Sequence, residues 1–76
     1  MPNLNLDAVL DMLTNRQLDI LGLIAQGKSN KVIALETQLC ASTVKVHVSA
    51  ILRTLGLKNR TQLGLLAQRL GLIHDN

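Results

Sequence analysis

The sequence predicts an all-α domain of four short helices built around a helix-turn-helix, with either a fifth, N-terminal helix or an extended linker ahead of them. Three observations predict it. Apolar residues recur at helical spacing along the chain, and no stretch alternates as a strand would. Capping residues and glycines mark helix starts and stops at short intervals. The chain has only 76 residues and no Phe, Tyr or Trp, so one small aliphatic core is the expected organisation.

The elements follow in order. In residues 1–12, Leu6, Val9 and Leu10, with Leu13 beyond, have helical spacing, while Asn3-Leu4-Asn5-Leu6 also fits an extended linker that docks two leucines. The domain proper is expected over 13–76. Thr14 is the N-cap of its first helix, and Gln17 three residues later completes a capping box. Leu13 and Leu18 form a hydrophobic staple around that cap. Leu18, Leu21, Ile24 and Ala25 mark the inner face, and Gly27 ends the helix. Ser29 or Asn30 opens a short second helix with Ile33 and Ala34 inward, which stops near Thr37. A third helix runs from Ala41 or Ser42 to Leu55, and Gly56 stops it. Asn59 and Gln62 form a second capping pair for a helix over Arg60–Leu70, closed by Gly71.

Composition excludes several functions. Without aromatic rings there is no platform for stacking bases and no cage for alkylated ammonium groups. One cysteine, Cys40, forms no internal disulfide, and with two histidines it cannot complete a zinc finger. No cofactor and no small-molecule substrate is expected. No apolar run approaches the ~20 residues of a membrane span, no signal peptide is legible, and a reducing cytoplasm is the expected compartment. Cys40 and His47 lie two helical turns apart, roughly 10 Å, too far for a nucleophile and its base. With no carboxylate pair and no strand-loop-helix phosphate cradle, the chain is not read as an enzyme.

Charge is unevenly placed. Residues 1–26 carry a net −2, residues 27–60 a net +5 and residues 61–76 none. A cationic middle third is the footprint of a phosphate-binding surface, or of a merely solvated basic face. The wheel of the third helix bears on that choice. Val44, Val48, Ile51, Leu52 and Leu55 form one apolar stripe. The opposite side carries Ser42, Val46, Ser49, Ala50 and Arg53, with Lys45 and His47 on the flanks. That outer side is slim, as entry into a major groove requires. Val46 is an apolar residue the core does not use. It is either an ordinary exposed valine or a contact for a thymine methyl.

Leu13-Thr14-Asn15-Arg16, Ala25-Gln26-Gly27, Ser29-Asn30-Lys31, Ile33-Ala34, Thr43-Val44-Lys45-Val46-His47-Val48, Leu55-Gly56-Leu57 and Arg60 follow one pattern in order and spacing. The chain resembles the LuxR/FixJ/NarL-type DNA-binding domain of bacterial transcription regulators over about residues 13–70. The resemblance implies duplex DNA as the partner. It implies that Lys45, Val46 and Ser49 face bases, and that Asn30, Lys31, Thr43 and His47 lie near phosphates. The remaining cations of the basic third, Arg53, Lys58 and Arg60, with Lys28, are expected to join the phosphate contacts. The family habit of dimerising through the last helix fits the outward side of that helix, Leu65 with Thr61, Gln68 and Arg69. Gly64 beside Leu65 would permit close approach of a second helix.

Departures from the family pattern are local. Val32 stands where an acid is usual and removes the partner of a Ser29 capping box. Thr37 replaces a leucine, Gln17 an acid, and Ser49 a residue that is often longer and charged. Cys40 replaces a capping serine, so either Ser42 takes over as the cap or the cap is lost. RNA polymerase and a fused receiver or sensor domain are the further partners the resemblance implies. A rival reading is a protein-interaction module whose basic helix docks an acidic protein.

Overall fold

A computed structural model describes residues 4–72. Five helices follow one another: α1 (Leu6–Met12), α2 (Asn15–Ala25), α3 (Asn30–Thr37), α4 (Ala41–Leu55) and α5 (Arg60–Arg69). The described residues include no strand. The N-terminal segment is therefore a helix, with Leu4 packed against the core just before it. Only Val9 of its apolar set is buried inside α1. Leu6 and Leu10 stay on the surface of this short helix, which packs against α4.

Helix starts follow the caps read from the sequence. The Thr14 hydroxyl accepts from the Gln17 N–H at 3.1 Å, and the Gln17 side chain accepts from the Thr14 N–H at 3.0 Å, a complete capping box. Ser29 accepts from the Val32 N–H at 3.2 Å with no reciprocal bond, as expected of an apolar residue at that site. Asn59 accepts from the Gln62 N–H, but the Gln62 carboxamide turns to the Lys58 N–H at 2.8 Å instead of completing a box. Cys40 is the N-cap of α4 and makes no side-chain cap bond, nor does Ser42 replace it, since α4 already begins at Ala41. The cap is lost.

Helices α2 to α5 all end by the same device. The residue two or three beyond the helix end, directly after an αL residue, sends its N–H back across five residues: Lys28 to the Leu23 carbonyl, Leu39 to Ala34, Leu57 to Leu52 and Leu72 to Ala67, at 2.9–3.2 Å. The closure needs a left-handed residue just before that N–H. Gly27, Gly56 and Gly71 supply it at φ 82°, 70° and 72°. Between α3 and α4 the same position is Gln38, at φ 62°. A side chain there costs ~1–2 kcal/mol that glycine would not. The turn is held nonetheless by the buried Thr37 hydroxyl, which donates to the Ile33 carbonyl at 2.7 Å, and by Arg16 Nη1, which donates to the Thr37 carbonyl. Thr37 thus replaces the expected leucine with a satisfied hydroxyl.

Helix α4 lies at the centre and packs against each of the other four. Val44, Val48, Ile51 and Leu55 are buried, as the wheel predicts, and Leu52 is half-buried. They meet Val9, Ile20, Leu21, Ile24, Ile33, Leu63 and Leu66 in one aliphatic core. Helix α2 packs along α5, where a methyl group at Gly64 would lie 4.0 Å from Cγ2 of Ile24, in ordinary contact. Within the chain, the helix that Gly64 approaches is α2.

Three substitutions test these points. Gln38→Gly and Cys40→Ser should each raise unfolding free energy by ~1 kcal/mol in urea titrations, by relieving the left-handed strain and restoring the α4 cap. Gly64→Ala should add ~0.5–1 kcal/mol, since the site has room and alanine favours helix. A loss of stability in any of the three would contradict the geometry described for it.

Candidate nucleic-acid interface

The short α3, a three-residue turn and the longer α4 form the helix-turn-helix. The outer side of α4 is built by what its inner stripe leaves over. Ser42, Lys45, Val46, Ser49 and Arg53 are exposed, while Thr43, His47 and Ala50 are half-buried beside the stripe. From Ser42 to Arg53 this side runs roughly 16 Å along the helix. It bears no acidic residue and nothing bulkier than lysine or arginine. Val46 is 67% exposed at its middle, so the structure gives it no core partner. Arg53 sits in the last turn of α4, where a cation also complements the helix dipole.

The other cations divide into two groups. Lys31 on α3 and Lys58 before α5 are exposed. Lys28 is engaged, its Nζ 2.6 Å from a Glu36 carboxylate oxygen. Arg60, the first residue of α5, is also engaged and half-buried. Its Nη1 donates to Oδ1 of Asn30 at 2.5 Å, and its Nη2 donates to the Lys28 carbonyl. Of the phosphate-contact candidates, the structure thus joins Asn30, Lys28 and Arg60 directly. No local sequence signal announces that junction, because its partners lie 30 and 32 positions apart.

The outward side of α5 carries Thr61, Leu65, Gln68 and Arg69, all exposed, with Leu65 at 62%. A shallow depression there is lined by Gln62, Leu65, Leu66 and Arg69. Gln68 does double duty: its Nε2 donates to the Ala25 carbonyl at 3.2 Å and ties α5 to the end of α2. Leu35 on α3 is a further exposed apolar residue, at 74%, that the sequence reading did not single out.

Among the described residues no group of three His, Cys, Asp or Glu side chains comes together, and no helix is long and apolar enough to cross a membrane. Cys40 is a free, exposed thiol at the start of α4.

Comparison with known proteins agrees with this geometry. The profile of the luxR family of bacterial regulatory proteins matches residues 11–67. The transcriptional regulatory protein LiaR of Bacillus subtilis (strain 168) is 44% identical over 64 residues, which cover 84% of this chain and 30% of LiaR. The nitrate/nitrite response regulator protein NarL of Escherichia coli (strain K12) is 49% identical over 53 residues, 70% of this chain and 24% of NarL. The response regulator protein VraR of Staphylococcus aureus (strain NCTC 8325 / PS 47) is 50% identical over 52 residues, 68% of this chain and 25% of VraR. The chain spans about a quarter to a third of the length of these curated relatives. A helix-turn-helix with a slim, cationic outer side, matched over residues 11–67, identifies the chain as a member of the luxR family of bacterial regulatory proteins, DNA-binding regulators of transcription.

Proposed function

We propose that the chain binds duplex DNA sequence-specifically, with α4 in the major groove, as the output domain of a transcription regulator. The observation that carries this reading is the outer side of α4: small, free of acids, and bearing an exposed valine between a lysine and a serine. Lys45, Val46 and Ser49 read base edges, Val46 through a thymine methyl. Asn30, Lys31, Thr43, His47, Arg53 and Lys58 set position on the phosphates, and Arg60 belongs to the same patch through its bond to Asn30.

Two chains pair through the outward side of α5, around Leu65, with Thr61, Gln68 and Arg69 at the rim. Such a pair places two recognition helices roughly 34–36 Å apart on inverted half-sites. The names of NarL and VraR as response regulators support a receiver domain as the source of the signal in a longer protein of this kind. RNA polymerase is the natural further partner of such a regulator, and the bacterial cytoplasm its compartment.

Selection of duplexes from a random library near physiological salt tests the reading. An enriched inverted repeat is expected, lost in the Lys45→Ala/Val46→Ala double variant. Lys45→Ala alone should cost ~1–3 kcal/mol and relax specificity at one position. Similar, unselective retention of both proteins would leave a basic surface for an acidic protein partner. Leu65→Asp should keep the fold and half-site binding but abolish two-site binding and self-association in sedimentation. Unchanged sedimentation and operator affinity would remove α5 from the interface.

A further inference from the structure

We propose that Arg60 is a positioning residue for the DNA-facing surface: from the first turn of α5 it fixes which end of the Asn30 carboxamide, at the start of α3, faces outward. The proposal rests on the duplex-binding reading and adds to it a residue that acts through another.

The chemistry of the two groups dictates the orientation. A guanidinium carries only donors, whereas a carboxamide has one acceptor oxygen and one NH2. With Arg60 Nη1 on Oδ1, the NH2 of Asn30 is turned away from Arg60. A carboxamide left to itself presents either end. Held this way it presents a donor, the partner a phosphate oxygen needs.

The second arm of the fork fixes the backbone. Arg60 Nη2 takes the Lys28 carbonyl, in the turn that leads from α2 into α3. The side chain of the same residue, Lys28, is held from α3 by Glu36 at 2.6 Å. Residue 28 is therefore gripped from α5 through its backbone and from α3 through its ammonium. The dipole of α3 does not account for this arrangement. The first turn of α3 has no acid, and a cation near a helix start is unfavourable to the dipole.

The planar fork serves two acceptors at once, which a lysine ammonium on a flexible stem does not reproduce. Arg60→Lys therefore keeps the charge and removes the grip. Against a duplex selected by the unmodified chain, Arg60→Lys should lose roughly 3- to 10-fold in affinity, the range set by freeing one side chain. The slope of log K against log salt should stay unchanged. In an Asn30→Ala background the same substitution should cost clearly less, since only the hold on the Lys28 carbonyl is left to lose. Side-chain amide NMR supplies a readout without DNA: the Asn30 NH2 signals should report one fixed rotamer in the unmodified chain and averaging in Arg60→Lys.

Full affinity in Arg60→Lys, with a slope lower by about one in Arg60→Ala, would make Arg60 a direct phosphate contact and overturn the proposal. Additive losses with Asn30→Ala, or a lower melting temperature with unchanged affinity, would overturn it too. Absence of any selected duplex would sink the DNA reading instead, and the Asn30 rotamer would then decide the Arg60 grip alone.

Discussion

Helix α4 must satisfy two demands that oppose each other, and the rest of the fold is arranged around that. Its inner side has to anchor a core with no aromatic rings: Val44, Val48, Ile51 and Leu55 are buried, and the helix packs against all four others. Its outer side has to remain slim and unburied. A 15-residue helix can do both only if its apolar residues keep to one stripe. Val46 is the exception, and it is an exception the core cannot account for. Aliphatic side chains fit this duty. Branched residues on α4 interdigitate with leucines and isoleucines from α2, α3 and α5, and a well-packed aliphatic core can reach the density of larger domains.

What the core does not fix, polar ties between distant residues do. Arg60 reaches Asn30 and the Lys28 carbonyl, Gln68 reaches Ala25, and Arg16 reaches Thr37. Each joins the start or end of one helix to the start, end or turn of another. They add directional links between helices to a core whose contacts are non-directional. The surface assigned to DNA spans α3, α4 and the approach to α5, so its shape depends on these ties as much as on its own side chains.

Much of this was legible in the sequence. Periodicity and caps are local properties, and they placed α2 to α5 to within a residue, the Thr14–Gln17 box included. The outer side of α4 followed from the same wheel, since burying one stripe leaves the other exposed. Less was legible where the outcome depends on distant partners. The N-terminal helix was one of two readings, because seven residues with one buried valine carry a weak signal. The Gln62 carboxamide chose Lys58 over Asn59, a choice between two nearby donors that spacing does not decide. The left-handed Gln38 was hidden because glutamine gives no warning of positive φ. The partnership of Arg60 with Asn30 was hidden for another reason: both read as solvent-facing phosphate ligands until the chain brings them together.

The shared closure of α2 to α5 has a consequence for how the chain can change in length. Each closing bond spans a fixed count of residues, and the connections from α2 through to α5 are only three or four residues long. An added or deleted residue between a helix end and the closing N–H breaks that bond and orphans carbonyls at a helix end. It also re-aims the helix that follows. Side chains in these turns are replaceable, as Gln38 in a glycine's place demonstrates. Spacing is not. The distance from the turn to each outer residue of α4 therefore behaves as a constant of the fold.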